Sequence, residues 1–344
     1  MIDLGVCGYG FSGSGAVLDL LKEYSGVTVA DKVELSFIYK PDGLNDLYHN
    51  ICESPSRYFS SDSSIRRFIH YMNNLRKPYN KITSNQFDNI LDCFLSELIE
   101  VQWKGSTSVH SYQAQGFIES LYQKIGRRIR KRVEKICGPT RKHIIPEKTM
   151  YYSGLTEDAF LHISRIFVQD LIREIQGDKE CKVRAIDQAF SANNPKVCFP
   201  YFENPRAIVV LRDPRDIYLL AKCSLGFSGS FIPSDDVSSF IKYYKGLLDS
   251  VRYNEDPDIL TICFEDLIYN NRYAREQIES FLGIYEKNGY MTSFKPEISI
   301  NNTQLWRKEK TYIKDIQEIE KHMENYLYPF ANYTQKPSFN IKSF

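Results

Sequence analysis

The sequence predicts an α/β protein: a doubly wound parallel sheet flanked by helices and carrying a large helical insertion. Three observations predict it. A strand, a glycine loop and a helix follow one another at the very start of the chain. Apolar runs of strand length alternate with helical patterns from about residue 182 onward, the order that builds parallel sheets. Between these stretches, over 44–180, strand-like runs give way to charged, aromatic and leucine-containing helical segments.

Ile2 to Gly8 is a short apolar run suited to a buried strand, and Val17, Leu20, Leu21 and Tyr24 then recur at the spacing of one helix face. A second strand is expected over 33–39, closed by the turn-forming Pro41, Asp42 and Gly43, which makes the first ~43 residues a β-α-β unit. Within the insertion, Thr156 is placed to cap a helix whose apolar face runs Phe160, Ile163, Phe167, Leu171, Ile175 and stops at Gly177. Strands are expected over 182–186 and 207–211, the second a continuous apolar run typical of burial on both faces. Ser234, Asp235 and Asp236 open a helix with Val237, Phe240, Tyr244 and Leu248 on one side; a strand over 259–264 and a helix over 271–282, ended by Gly283, complete the pattern. No repeat is visible, so residues 1–344 read as one α/β domain with 44–180 inserted.

Composition narrows the class. Hydrophobic residues make up 42% and charged ones 25% of 344, a globular balance able to bury a core without staples. The formal charge of +1 gives no reason to expect nucleic acid, so any electrostatic recognition must be local. Eight cysteines stand singly, with neither a C-x-x-C pair nor zinc-ligand spacing, which fits reduced thiols in a cytoplasmic protein and no metal. Neither a signal peptide nor a membrane span is expected from the apolar runs.

The first candidate site is the loop Gly8-Tyr9-Gly10-Phe11-Ser12-Gly13-Ser14-Gly15-Ala16. Between a strand and its helix, such a loop can bring several backbone N–H groups onto one anion, aided by the positive end of the helix dipole. The start is therefore P-loop-like, yet it holds no lysine. Gly8, Gly10 and Gly13 also fit the spacing of a dinucleotide fingerprint, but Asp31 precedes the expected second strand instead of closing it. A plain glycine turn is the bland alternative.

The second site is Arg212-Asp213-Pro214-Arg215-Asp216 at the end of a buried strand, where open α/β sheets bind ligands and where a guanidinium suits a phosphate. Mutual Arg–Asp pairing is the alternative there. Phe264-Glu265-Asp266-Leu267 follows another strand, and Asn301-Asn302-Thr303-Gln304-Leu305-Trp306-Arg307-Lys308 sets one of two tryptophans beside two cations.

In order and spacing these four segments resemble the sulfotransferases that use 3′-phosphoadenosine 5′-phosphosulfate (PAPS), over the first ~43 residues and about 182–310. The resemblance implies a bacterial, carbohydrate-type enzyme of that family. It implies that Phe11, Ser12, Gly13, Ser14, Gly15 and Ala16 wrap the 5′-phosphosulfate, that Arg212 grips the 3′-phosphate with Arg307 and Lys308 near it, and that Glu265 and Asp266 are a structural acidic pair. Two positions depart from the family pattern. Phe11 stands where a lysine or arginine is usual, and Leu220 stands where a phosphate-binding serine is usual, with Ser224 as an off-register substitute.

Sulfuryl transfer needs in-line positioning, stabilisation of charge on the leaving phosphate and a base for the acceptor hydroxyl. It calls for neither metal nor redox cofactor. Lys40, at the end of the expected second strand, and Arg215 are the candidate cations for the bridging oxygen. Asp187, just past the strand 182–186, is the candidate base; a turn cap or a pair with Arg184 is its structural alternative. None of the six histidines falls at a motif position. The insertion is expected to form the acceptor side, for a hydroxyl of a sugar, glycolipid or polysaccharide precursor. Its segment 124–135, seven basic residues with Ile125, Ile129 and Val133 between them, reads either as a solvated helix face or as a contact for an anionic glycan or the inner membrane face. A P-loop phosphotransferase and a catalytically inactive nucleotide-binding relative are the rival readings.

Overall fold

In the computed structural model a central sheet holds five parallel strands: β1 (Ile2–Gly8), β2 (Val27–Ala30), β5 (Val183–Asp187), β6 (Pro205–Leu211) and β7 (Ile259–Cys263), in the order β2-β5-β1-β6-β7. The structure describes residues 1–105, 148–177, 180–223, 231–253, 255–289 and 292–337, with scattered positions between 125 and 138. The chain divides into two compact units, Met1–Ser36 with Ile175–Phe344, and Phe37–Glu174.

The sheet-bearing unit follows from alternation along its middle strand. Leu4 and Val6 of β1 point into an apolar cluster with Val17, Leu21, Ile208 and Val210. The opposite face of β1 carries Asp3, Gly5 and Cys7. There the buried Asp3 carboxylate accepts from Arg184 Nε at 2.8 Å, one strand away in register. A Cβ on Gly5 would fall 2.2 Å from the Phe190 ring, so this glycine admits an aromatic side chain against the sheet. Helix α1 (Ser14–Leu21) buries Val17, Leu18, Leu20 and Leu21.

On one side of β1 lie β5 and then β2, while β6 and β7 lie on the other. The order of strands reverses beside β1, and the turns leaving β1 and β6 emerge at the same carboxyl edge. Open parallel sheets bind ligands in that place.

The second strand is not where the sequence pattern set it. The strand that pairs with β5 on the side away from β1 is the short run Val27–Ala30, whereas Ser36–Ile38 forms a 3₁₀ turn. Leu35, Phe37 and Ile38 are all fully buried, without the alternation of a half-exposed strand, and the boundary between the two units falls in this run. Lys40 therefore does not close a strand; it belongs to the Phe37–Glu174 unit.

That unit is largely helical, with α2 (Arg57–Ile82), α3 (Phe87–Leu98) and α4 (Glu157–Gln176), the last extending past the unit boundary; Thr156 Oγ1 accepts from Ala159 N at 3.3 Å at its start and Gly177 follows its end. Its core is aromatic: Phe94 stacks on Phe167 at 4.7 Å, and Phe37 meets both Phe167 and Tyr79 edge-on. An antiparallel pair, β3 (Val101–Gly105) with β4 (Lys148–Tyr152), also lies here, an element the helical expectation omitted. Asp62 ties it to α2 by accepting from Tyr151 N at 3.0 Å while pairing with Arg66. Among the described residues no helix is long and apolar enough to cross a membrane. Ser224 and much of the 124–135 segment lie outside the described residues.

Candidate functional site

The turn after β1 is shaped by left-handed backbone. Gly10, Phe11 and Gly13 have φ of 81°, 52° and 88°. Glycine adopts this conformation without steric cost, whereas Phe11 does so at about 1–2 kcal/mol. Each glycine also admits a neighbour. A Cβ on Gly8 would sit 1.9 Å from Ser12 Oγ, and one on Gly13 would sit 2.4 Å from the Phe264 ring. Ser12 is thereby buried against Gly8.

Gly13 is the N-cap of α1, and it supplies no side-chain acceptor for the first-turn amides. That turn, Ser14 to Val17, contains no acid. Amides left in this way, at the positive end of a helix dipole, suit an anion. Ser14 Oγ accepts from Gln188 Nε2 at 3.0 Å, which fastens the start of the helix to the end of β5.

Arg212, at the end of β6, is only 8% exposed. Its Nη1 donates to Phe11 O at 2.7 Å and its Nη2 donates to Asn302 O, so one guanidinium joins the glycine loop to the late segment. It lies over the Phe264 ring, 4.7 Å from the centroid. Phe264 thus packs its ring against Gly13 and beneath Arg212. Among the described residues Arg212 Nε is buried without a hydrogen-bond partner.

Arg215 sits in a different environment. Its Nε and Nη2 donate to the two oxygens of Asp213 at 2.9 and 2.7 Å, and its Nη1 donates to Glu320 at 2.8 Å. The Trp306 ring covers it at 4.4 Å. The cation expected beside the bridging oxygen is therefore committed to two carboxylates. Asp213 N donates to Glu265 Oε1 at 2.9 Å, and the Asp213 carboxylate also accepts from Tyr328 N at 3.0 Å. Asp216 accepts from Gln304 N and Leu305 N, both at 2.8 Å, holding the turn that carries Trp306, Arg307 and Lys308. Burial, with Asp213 nearby, pushes the Asp216 carboxyl up to about 7 and Glu265 up to about 8. Asp266 accepts from Tyr328 Oη at 2.7 Å.

The three late segments singled out in the sequence thus meet at one edge of the sheet, joined by Arg212, Asp213 and Asp216. Arg307 lies over the Trp306 ring at 5.1 Å, and Lys308 is exposed.

Asp187 closes β5 and pairs in register with Val6, two residues before the glycine loop begins. Its Oδ1 is buried without a hydrogen-bond partner among the described residues. Burial first, then the charges of Glu34 and Asp31, push its carboxyl up to about 6. Arg184, one structural alternative for it, pairs with Asp3.

Sequence reasoning missed Gln188, Phe231, and the roles of Phe264 and Asn302. The last two stand inside quoted motifs, and the glycine at position 13 signalled a close approach without naming the ring. Among the described residues no group of His, Cys, Asp and Glu side chains gathers to hold a metal ion. No protein-family model matches the chain, and no curated protein matches it either.

Proposed function

We propose that this protein is a PAPS-dependent sulfotransferase, moving a sulfuryl group to a hydroxyl of a sugar, glycolipid or polysaccharide acceptor. One observation carries the reading: the uncapped, acid-free first turn of α1 follows directly on a glycine loop that the buried Arg212 ties to the late segment, by donating to Phe11 O and Asn302 O at the carboxyl edge of the sheet. Backbone amides over 11–15, Ala16 N being taken up by Gly13 O at 3.0 Å, hold the 5′-phosphosulfate and stabilise charge on the leaving phosphate. The remaining N–H groups of Arg212 take the 3′-phosphate, with Arg307 and Lys308 near it. Asp187 accepts the hydroxyl proton as the sulfur–oxygen bond to the acceptor forms and the bond to the leaving phosphate breaks. A carboxyl near 6 is mostly ionised at neutral pH yet basic enough to take that proton. Arg215 positions Asp213 in this reading.

Phe11 in place of a cation, together with the commitment of Arg215 to acids, favours a second reading: a relative that binds the nucleotide without turning it over. Calorimetry with adenosine 3′,5′-bisphosphate against ATP and magnesium tests the binding that both share. Preference for the bisphosphate is expected; preference for ATP would sink both readings. Transfer from labelled PAPS to a glycan panel then separates the enzyme from the inactive relative.

A further inference from the structure

Phe231 is 68% exposed, a large apolar ring in water beside the glycine loop. Its neighbour Ile232 is buried and anchors the backbone there. The Phe231 ring stacks on Phe11 at 5.4 Å between centroids, with 19° between the planes. It also lies against Gly10, where a Cβ would fall 2.5 Å from its edge, so glycine at this position is required both by the left-handed φ and by the ring. On the other side of Phe11, the peptide carbonyl accepts from Arg212 at 2.7 Å. A residue in a strained conformation, fixed at its carbonyl by a buried arginine and at its ring by a second aromatic, is a pre-set surface, and such strain gathers where ligands bind.

We infer that Phe11 and Phe231 form a stacking shelf for a ring, aromatic or sugar, carried next to the anion that the loop binds. The inference rests on the anion-binding reading of the loop and sharpens it: the acceptor is a ring alcohol, an aryl group or a pyranose with an apolar face, and not an open-chain alcohol. Phe11 supplies no charge at the position where a cation is absent; it supports the ring of Phe231, whose solvent-exposed surface receives the ligand. Flat rings on aromatic faces gain from offset stacking and from displaced water, enough to separate a ring-bearing anion from one without a ring.

The test uses the full chain and three phosphate monoesters read by ligand-observed NMR: methyl phosphate, phenyl phosphate and α-D-glucose 1-phosphate. At least one ring-bearing ester is expected to bind about tenfold more tightly than methyl phosphate, and which one does so distinguishes an aryl from a sugar ring. Phe231→Ala is expected to bring that ratio close to one, and Phe231→Trp to retain it. Position 231 is exposed, so Phe231→Trp is expected to keep the wild-type thermal midpoint and Phe231→Ala, which loses the stack on Phe11, to lower it by no more than about 2–4 °C, leaving the chain folded in the assay. Equal affinity for all three esters in the wild type, or a preference that survives Phe231→Ala, overturns the shelf while leaving the anion site intact. No binding of any ester removes the anion site itself, and the shelf with it.

Discussion

Arg212 and Arg215 stand three residues apart at the end of one strand, both nearly buried and both near acids, yet they make different hydrogen bonds. Arg215 gives its hydrogen bonds to two carboxylates and is covered by Trp306. Arg212 gives its hydrogen bonds to two backbone carbonyls and keeps a buried Nε without a partner among the described residues. A carboxylate cancels a guanidinium's charge, whereas a carbonyl only orients it. The same residue type in the same motif therefore serves as an acid-paired tie at one position and, in the proposed reading, keeps a donor for an anion at the other.

The largest effect expected from breaking this contrast is at Arg215. Arg215→Ala leaves the Asp213 carboxylate buried without its partner and is expected to cost about 3–5 kcal/mol in urea unfolding. Arg212→Ala removes two bonds to carbonyls and is expected to cost about 1–2 kcal/mol of stability. Its larger signature is a loss of adenosine 3′,5′-bisphosphate affinity of tenfold or more by calorimetry, and an unchanged affinity would remove the 3′-phosphate assignment.

Asp187 sharpens the comparison from the acidic side, because its carboxyl is pushed up by burial and by the charges of Glu34 and Asp31. The folded state keeps its proton up to about pH 6, while the unfolded chain loses it near 3.8, so stability falls as pH rises through that window. Asp187→Asn is expected to flatten the unfolding profile there and to gain about 1 kcal/mol at pH 7, after solvent screening of a half-buried group. The same variant is expected to lose transfer activity by about 10²–10⁴-fold. The smallest effect is at Phe11: Phe11→Gly relieves the left-handed backbone and loses the ring stack, two terms of about 1 kcal/mol that nearly cancel in a thermal melt.

The glycine loop, β6 and β7 were legible because each carries its own local signal: glycines that open a helix, and apolar runs with turn residues after them. Strand β2 was not. Val27–Ala30 is only four residues long, and the longer apolar run that followed it is buried for a different reason, as the place where the chain leaves one unit for the other. Misplacing that strand misplaced Lys40. The motif Arg-Asp-Pro-Arg-Asp marked the candidate site, but the different hydrogen bonds of its arginines depend on Glu320 and Asn302, which lie about 100 residues away in sequence. Pairing over such a distance leaves no trace in local pattern.

Phe264 meets Gly13 at the rim of its ring and Arg212 on its face. Its flatness lets one ring meet both neighbours, and a branched aliphatic of similar volume cannot reproduce it. In a saturation library at 264, flat side chains are expected to survive selection for bisphosphate binding while leucine and isoleucine are lost, although every hydrophobic choice fills the core. At this position shape, more than hydrophobicity, limits what the chain can tolerate.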